Sequence, residues 1–250
     1  MADQMTKNSN HLALIPARGG SIGIKDKNLQ KIAGKSLVRW AYDFCSESKI
    51  FNTVMLSTDS SEISETISAS ADFSALDEDE LFYLSKNNAI HKRALSDSGT
   101  YSLISDLVIK LANLAELDFE YLWLIQPTSL FREKIDIQQI LEIINGELDW
   151  TSIVSVKDFT KNHPDRMLRF NGDYVEPFLE ESKIESIPRQ LLSKVYIKDG
   201  AFYIFKKVNL QKGIFLGSKI LPYCRSSSKN INIDDFDDLN YARFIQERKK

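Results

Sequence analysis

The sequence predicts an α/β fold in which a mainly parallel sheet carries helices on both faces. Short apolar runs of strand length alternate along the chain with segments whose apolar residues recur at helical spacing. The 250 residues are 43% hydrophobic and 27% charged, which is ordinary for a globular protein with a sizeable core. Because no linker and no internal repeat divides the chain, we predict a single domain over residues 1–250.

The predicted strands are short and mostly apolar. They cover residues 12–15, 53–57, 81–84, 121–125, 151–156 and 201–205. The predicted helices have one apolar face and cover residues 37–45, 60–67 with Ser60 as the cap, 98–116, 137–144 and 236–246. Residues 157–198 break this alternation, since they are polar, contain Pro164, Pro177 and Pro188 and show no helical spacing. We interpret this range as an inserted extension.

Charge and composition exclude several classes of partner. The formal net charge of -3 gives no electrostatic reason to expect nucleic acid or an anionic membrane. No apolar run approaches the roughly 20 residues that span a bilayer, and the polar N-terminal segment lacks the apolar core of a signal peptide. The two cysteines, Cys45 and Cys224, have no metal-type spacing. We therefore expect a cytoplasmic protein.

The loops that follow the predicted strands are where a ligand is expected. In a parallel sheet covered on both faces, ligands bind beyond the carboxyl ends of the strands. The chain leaves predicted strands after Ile15, Ser57 and Ile125. These loops are therefore the first place to look for a binding site.

The segment Arg18–Asn28 has the composition of a phosphate-binding loop. Its three glycines let the backbone N–H groups approach an anion, while Arg18, Lys25 and Lys27 add positive charge. A structural tight turn explains the glycines but not the adjacent cations. A Walker A loop ending in Gly34-Lys35-Ser36 would need glycine five residues earlier, where this chain has Leu29. The segment also lacks the Gly-x-Gly of a dinucleotide fingerprint.

The chain around this segment reads Ile15-Pro16-Ala17-Arg18-Gly19-Gly20-Ser21-x-Gly23-Ile24, followed by Lys27-Asn28-Leu29. This run resembles the signature loop of the acylneuraminate cytidylyltransferases. Further matches follow in family order over more than 200 residues of the chain. They are Gly34-Lys35-x-Leu37, Ser57-Thr58-Asp59-Ser60, Arg93 with Leu95-Ser96-Asp97, Gln126-Pro127-Thr128-Ser129-x-x-Arg132, Ser155-Val156, His163-Pro164, Pro188-Arg189-Gln190, Gly200-Ala201-x-Tyr203, and Ile233-Asp234 with Asp238. The resemblance implies a Rossmann-like nucleotidyltransferase sheet and transfer of CMP from CTP to a sialic-acid-like nine-carbon sugar, with release of pyrophosphate.

The resemblance also implies roles for particular residues. Catalytic roles fall to Arg18, Lys27 and Asp234. Binding of the triphosphate, the nucleotide and the acidic sugar falls to Gly19, Gly20, Ser21, Gly23, Lys25, Asn28, Arg93, Asp97, Gln126 and Arg189. Asp234 and Asn232 would hold Mg²⁺. The extension 157–198 would form the dimerisation arm of a homodimer, from which Arg189 would reach the sugar site.

Two departures from the family pattern leave alternatives open. The family usually has lysine where this chain has Ile22, for which Lys25 is a candidate substitute, and it has aspartate where this chain has Asn232. These departures favour, as one alternative, a nucleotide-binding relative without turnover. A second alternative is an enzyme for another acidic sugar such as the eight-carbon Kdo, although those enzymes usually have Lys-Pro in place of Lys27-Asn28. Arg189 as a surface residue and Asp234 as a helix cap remain competing interpretations. His91 belongs to no recognisable pattern.

Overall fold

The computed structural model describes most of the chain. The described residues are 9–21, 23–68, 76–77, 80–99, 103–182, 188–225 and 230–248, with the side chains of Leu84, Leu95 and Arg189 outside the description. No helix within these ranges is both long enough and apolar enough to cross a bilayer.

The elements alternate along the chain as the sequence predicts. The strands are β1 (His11–Pro16), β2 (Lys31–Ile32), β3 (Lys35–Ser36), β4 (Thr53–Thr58), β5 (Leu81–Ser85), β6 (Asn88–Lys92), β7 (Tyr121–Leu124), β8 (Ser152–Asp158), β9 (Leu168–Asn171), β10 (Tyr174–Pro177), β11 (Tyr196–Lys206) and β12 (Ile220–Cys224). The α-helices are α1 (Leu37–Ser48), α2 (Ser61–Glu65), α3 (Ile104–Ala112), α4 (Lys134–Ile144), α5 (Lys207–Leu210) and α6 (Phe236–Glu247).

One large sheet joins eight of these strands in the order β12-β8-β11-β7-β1-β4-β6-β5. Strand β1 pairs in parallel with β4 and β7, β4 pairs in parallel with β6, and β8 pairs in parallel with β12. Only β5 and β11 run against the others, since their ladders with β6, β7 and β8 are antiparallel. The prediction of a mainly parallel sheet is therefore confirmed.

Both faces of the sheet are covered, as the continuous apolar strands require. On one face, residues such as Ala13 and Ile15 pack with Ala41 of α1 and Ile140 of α4. On the other face, Leu12, Leu14 and Met55 pack with Leu107 and Leu111 of α3. A third cluster joins Ile24 and Leu37 to Leu239 and Ala242 of α6, and so anchors the last helix beside the loop that follows β1.

Local signals explain the ends of several helices. Ser36 caps α1 by accepting a 3.3 Å hydrogen bond from the backbone N–H of Arg39. Ser60, the predicted cap, accepts a 3.3 Å bond from the backbone N–H of Ile63 at the start of α2. Helix α6 begins with a capping box, in which Asp235 is the cap and Asp238 bonds back to the backbone. Cys45 lies in the core, where burial raises the pKa of its thiol to about 12.

Two predictions of local structure are wrong. Of the helix expected over 98–116, the structure shows Ile104–Ala112; residues 100–102 lie outside the described residues, and Leu103, expected on the apolar face, is 64% exposed. Helix α2 ends at Glu65, so that Ile67 lies beyond it. Within the extension, the structure describes the β9–β10 hairpin and the first residues of β11. These strands are rich in polar residues and leave no apolar period to detect in the sequence.

Candidate active site

The glycine-rich loop folds back over the carboxyl ends of β1 and β4. The backbone N–H of Ala17 donates to the carbonyl of Ser57 at 2.9 Å, and that of Gly19 donates to Oδ1 of Asp59 at 2.7 Å. The side chain of Asn28 closes the loop by donating a 2.9 Å hydrogen bond to the carbonyl of Arg18. The loop is thus fastened at its base, and Ser21, Gly23 and Lys27 between these contacts line a cavity at the edge of the sheet.

Gly23 is required by a close approach of two backbone segments. A Cβ atom at this position would lie 2.7 Å from the carbonyl oxygen of Asp234, a distance that real side chains do not tolerate. Lys27 ties the same two segments together, since its Nζ lies 3.1 Å from the carbonyl of Ile233 and 3.5 Å from Oδ1 of Asp234. The loop after β1 and the segment before α6 are therefore packed directly against each other.

A cavity of about 420 Å³ opens at this edge of the sheet. It is lined by Pro16, Arg18, Ser21, Gly23, Lys27, Asn28, Arg93, Asp97, Leu103, Ile104, Leu107, Gln126, Pro127 and Thr128. The lining residues come from the loops after β1, β6 and β7 and from the start of α3. These residues thus surround one cavity at the carboxyl ends of the strands, which is the edge of the sheet where a ligand is expected.

The cavity wall carries more positive than negative charge. Arg18, Lys27 and Arg93 line it together with one carboxylate, that of Asp97, which forms a 2.8 Å ion pair with Lys110. Burial lowers the pKa of Arg93 to about 10, so that its guanidinium remains protonated at neutral pH. The wall is therefore suited to a polyanionic ligand.

The Arg18 side chain spans the gap between the glycine-rich loop and the segment before α3. Its Nη1 donates a 2.8 Å hydrogen bond to the carbonyl of Gly99. Gly19 and Gly20 line a second cavity of about 580 Å³ that shares Arg18 with the first. Binding of an anion by Arg18 would replace a hydrogen bond to a neutral carbonyl with a stronger one between opposite charges.

Polar side chains also gather around Gly200 of β11, and two of them, Gln126 and Ser129, come from the loop that follows β7. A Cβ atom at Gly200 would lie 2.9 Å from Oε1 of Gln126, 3.1 Å from Oγ of Ser129 and 3.3 Å from Oδ1 of Asn232. The positive φ of 77° at Gly200 also favours glycine there. Gln126 is the member of this group that reaches the cavity.

The segment before α6 holds the predicted metal ligands. The amide nitrogen of Asn232 donates a 2.8 Å hydrogen bond to Oδ2 of Asp234, while its oxygen faces Oγ of Ser129 at 3.4 Å. The Asp234 side chain is 69% exposed. Asp238 instead accepts hydrogen bonds from the backbone of Asp234 and Asp235, which is a capping role. Within the described ranges, no group of three or more His, Cys, Asp or Glu side chains is placed to enclose a metal ion.

The other predicted site residues lie around or outside the cavity. Lys25 is exposed and is not part of either lining, and its backbone carbonyl accepts a bond from Gln30. Arg189 belongs to a short 3-10 turn within the extension, but its side chain is outside the described residues. Ile22, which stands where the resembled family usually has lysine, also lies outside the described residues.

Sequence reasoning missed the buried polar groups that support the site. The hydroxyl of Ser57 lies 2.9 Å from Nδ1 of His91 beneath the cavity, and both side chains are fully buried. A second group joins Arg225 to Asp136 and Asp199 under the residues around Gly200. Ser57 lies in the Ser57-Thr58-Asp59-Ser60 motif, but no sequence pattern around His91 or Arg225 indicates a role at the site.

Comparisons with known proteins agree with this geometry. Residues 12–81 match a family model described as cytidylyltransferase. The chain is 28% identical over 240 residues to the N-acylneuraminate cytidylyltransferase of Escherichia coli O18:K1:H7, an alignment that covers 95% of this chain and 52% of that protein. It is 27% identical over 227 residues to the CMP-N,N'-diacetyllegionaminic acid synthase of Legionella pneumophila, with 89% of this chain and 90% of that protein covered. The chain spans about half the length of the first curated relatives it matches.

Solved structures share the fold. A structure of CMP:2-keto-3-deoxy-manno-octonic acid synthetase complexed with CTP superposes with a TM-score of 0.67 at 12% identity and covers 97% of this chain and 100% of that chain. The 4-diphosphocytidyl-2C-methyl-D-erythritol synthase of Anaerococcus prevotii superposes with a TM-score of 0.58 at 16% identity, covering 96% and 99% of the two chains. At these identities the likeness concerns the fold alone.

Proposed function

We propose, on the premise that this chain belongs to the acylneuraminate cytidylyltransferase family, that it transfers CMP from CTP to a sialic-acid-like nonulosonic acid and releases pyrophosphate. One observation carries the proposal: the cationic wall formed by Arg18, Lys27 and Arg93 lines a cavity at the carboxyl edge of a parallel sheet. The relatives named for sialic and legionaminic acids support the acidic sugar as acceptor.

The proposed reaction is attack of the sugar's anomeric hydroxyl on the α-phosphorus of CTP. The bond from the α-phosphorus to the pyrophosphate breaks, and negative charge grows on that leaving group. Arg18, Lys27 and the N–H groups of the glycine-rich loop would stabilise this charge. Asn28 and Arg93 would hold the nucleotide, and Gln126 would face the sugar, so that the reacting atoms are oriented for the attack.

Asp234 is the residue that would hold Mg²⁺. Its exposed carboxylate beside Lys27 fits a cation that usually takes one or two carboxylates and completes its shell with phosphate oxygens and water. Asn232 turns its nitrogen toward Asp234, so its role would be to orient the carboxylate. The ion, when bound, would add positive charge at the phosphates. A cytoplasmic location stays a prediction of this proposal.

A pyrophosphate-release assay with CTP, Mg²⁺ and a panel of acidic sugars tests the proposal. We expect release with at least one nine-carbon acid such as N-acetylneuraminate, legionaminate or pseudaminate, and none with the eight-carbon Kdo. Release with Kdo alone would instead favour the alternative acceptor. Measurable CTP binding without turnover of any sugar would identify a nucleotide-binding relative that has lost activity.

We also propose that the extension 157–198 forms the interface of a homodimer. On one face of the β9–β10 hairpin, Leu168, Phe170 and Val175 are 51%, 84% and 46% exposed. A two-stranded hairpin is marginally stable by itself, and a contiguous apolar face of this kind is typical of an interaction surface. A second copy of the chain would cover it in a symmetric dimer.

Sedimentation at micromolar concentration tests the dimer. We expect the unmodified protein to sediment as a dimer and the Phe170→Glu variant to shift toward the monomer, because the new charge would be buried in the interface. Phe244→Glu is the matched control, since Phe244 is an exposed aromatic residue of α6 outside the extension. A monomeric unmodified protein would contradict the proposal.

A further inference from the structure

Arg93 is a buried cation at the wall of the cavity. It follows β6 directly, its backbone N–H donates to the carbonyl of Thr58 at 2.7 Å, and the residue is only 5% exposed. Asp59 and Asp97 act on it electrostatically, but neither forms an ion pair with it in the described structure. A buried guanidinium without an ion-pair partner among the described residues is suited to bind an anionic group of a ligand.

The side chain of Arg93 is held by Ser57 on the neighbouring strand. Its Nε donates a 3.3 Å hydrogen bond to the hydroxyl of Ser57, and its Nη2 donates a 3.1 Å bond to the carbonyl of the same residue. Two of the three nitrogens of the planar guanidinium are thus fixed to one residue. The third nitrogen, Nη1, makes no hydrogen bond to a residue that the structure describes, and the side chain lines the cavity.

The hydroxyl of Ser57 is in turn oriented by His91. The two residues are register partners in the parallel pair of β4 and β6, and Ser57 Oγ lies 2.9 Å from His91 Nδ1. Because arginine only donates, Ser57 must accept from Arg93, and we assign its own hydrogen to Nδ1 of His91. Both side chains are fully buried, so water does not compete for these bonds.

We propose that Ser57 and His91 are positioning residues that fix the plane of the Arg93 guanidinium against an anionic group of the bound nucleotide. The inference rests on the proposed function, because it takes CTP as the ligand of the cavity. Loss of the Ser57 hydroxyl would leave the charge of Arg93 in place and keep only the bond from Nη2 to the Ser57 carbonyl, so that a single hydrogen bond would no longer fix the plane of the guanidinium. The effect would therefore appear in nucleotide binding and would depend on the presence of Arg93.

A double-mutant cycle on CTP affinity, measured by calorimetry, tests this dependence. We expect Arg93→Met to weaken CTP binding about 10- to 100-fold and Ser57→Ala about 10-fold. In the Arg93→Met background, Ser57→Ala should change the affinity by less than about 2-fold, because the group that it positions is gone. His91→Leu should weaken binding in the same dependent manner, while His91→Asn, which keeps an acceptor near Nδ1, should restore most of the affinity.

Matched variants separate this role from a general loss of stability. Ser152 is a fully buried serine of β8 that does not line the cavity. Its hydroxyl donates a 2.8 Å hydrogen bond to the carbonyl of Leu216. Ser152→Ala should lower the thermal midpoint without changing CTP affinity. Should Ser57→Ala fail to fold, the near-isosteric Ser57→Cys replaces it in the cycle.

The outcomes distinguish the inference from the function on which it rests. If the unmodified protein releases no binding heat with CTP, both are overturned. If it binds CTP but Arg93→Met binds equally well, Arg93 has no nucleotide to hold and the positioning role falls with it. If Arg93→Met weakens binding while Ser57→Ala has no effect, or an equal effect in both backgrounds, only the positioning role is overturned.

Discussion

Replacing Arg18 with alanine is expected to lower kcat/KM for CTP by about 10²- to 10³-fold, the size of loss that follows removal of one charged contact to a transition state. Arg18 is the residue of the glycine-rich loop whose guanidinium reaches across the cavity, with Nη1 2.8 Å from the carbonyl of Gly99. Since it can offer two parallel N–H groups to a phosphate, its loss removes both charge and geometry. The effect should be larger on kcat than on CTP binding, because charge on the pyrophosphate grows in the transition state.

Steady-state kinetics with Arg18→Ala, Arg18→Lys and a distant control measure this effect. Lysine keeps the charge but not the planar fork, so Arg18→Lys should fall between alanine and the unmodified protein. Arg243 is the control, because its side chain contacts the backbone of Lys31 outside the cavity lining. Unchanged kinetics in Arg18→Ala would rule out the loop as the site of the triphosphate.

The sequence was sufficient for those parts of the fold in which apolar pattern and local structure coincide. Strands such as β1 and β7 are buried on both faces and therefore read as continuous apolar runs. Strand β6 was not predicted because its residues, Asn88–Lys92, are mixed in polarity, and β12 contains Pro222, which an edge strand tolerates. The antiparallel insertion of β11 between β7 and β8 depends on pairing between distant segments, which no local pattern encodes.

The candidate site shows the same division. The loop residues were found because glycines and cations are unusual next to a buried strand, and Arg18, Lys27 and Asn28 do line one cavity with Gln126. Their buried partners were missed because a single polar residue in an apolar strand, such as His91, has no signature until its neighbour is known. Lys25 is adjacent to these residues in sequence but lies outside both cavity linings, a difference that depends on the course of the loop and not on local composition.

Arg225 is expected to be the residue outside the cavity whose loss costs most stability. Its guanidinium lies 3.4 Å from Oδ2 of Asp199 and 3.5 Å from Oδ2 of Asp136, and the three side chains are 2%, 1% and 3% exposed. It also donates to the carbonyl of Phe131. Arg225→Met keeps the apolar length of the side chain but leaves two buried carboxylates without their cation. We expect the free energy of unfolding to fall by about 3–5 kcal/mol.

The carboxylates have other partners that hold them in place and so prevent relief by movement. Asp199 accepts hydrogen bonds from the hydroxyl of Ser155 and, at 3.0 Å, from the backbone of Ala201. Asp136 accepts a 2.7 Å bond from the hydroxyl of Tyr223. Because these groups are fixed by strands β8, β11 and β12 and by helix α4, the unpaired charge would persist in the variant or be removed only by taking up a proton.

Urea unfolding of Arg225→Met beside Lys219→Met checks the argument. Lys219 and Asp149 form a shorter ion pair, 2.6 Å, but their side chains are 60% and 72% exposed, so loss of this pair should lower the stability far less than loss of Arg225. Adding Asp199→Asn to Arg225→Met should restore part of the lost stability, since it removes one of the unpaired charges. Equal midpoints for the two single variants would show that burial does not set the strength of the Arg225 network.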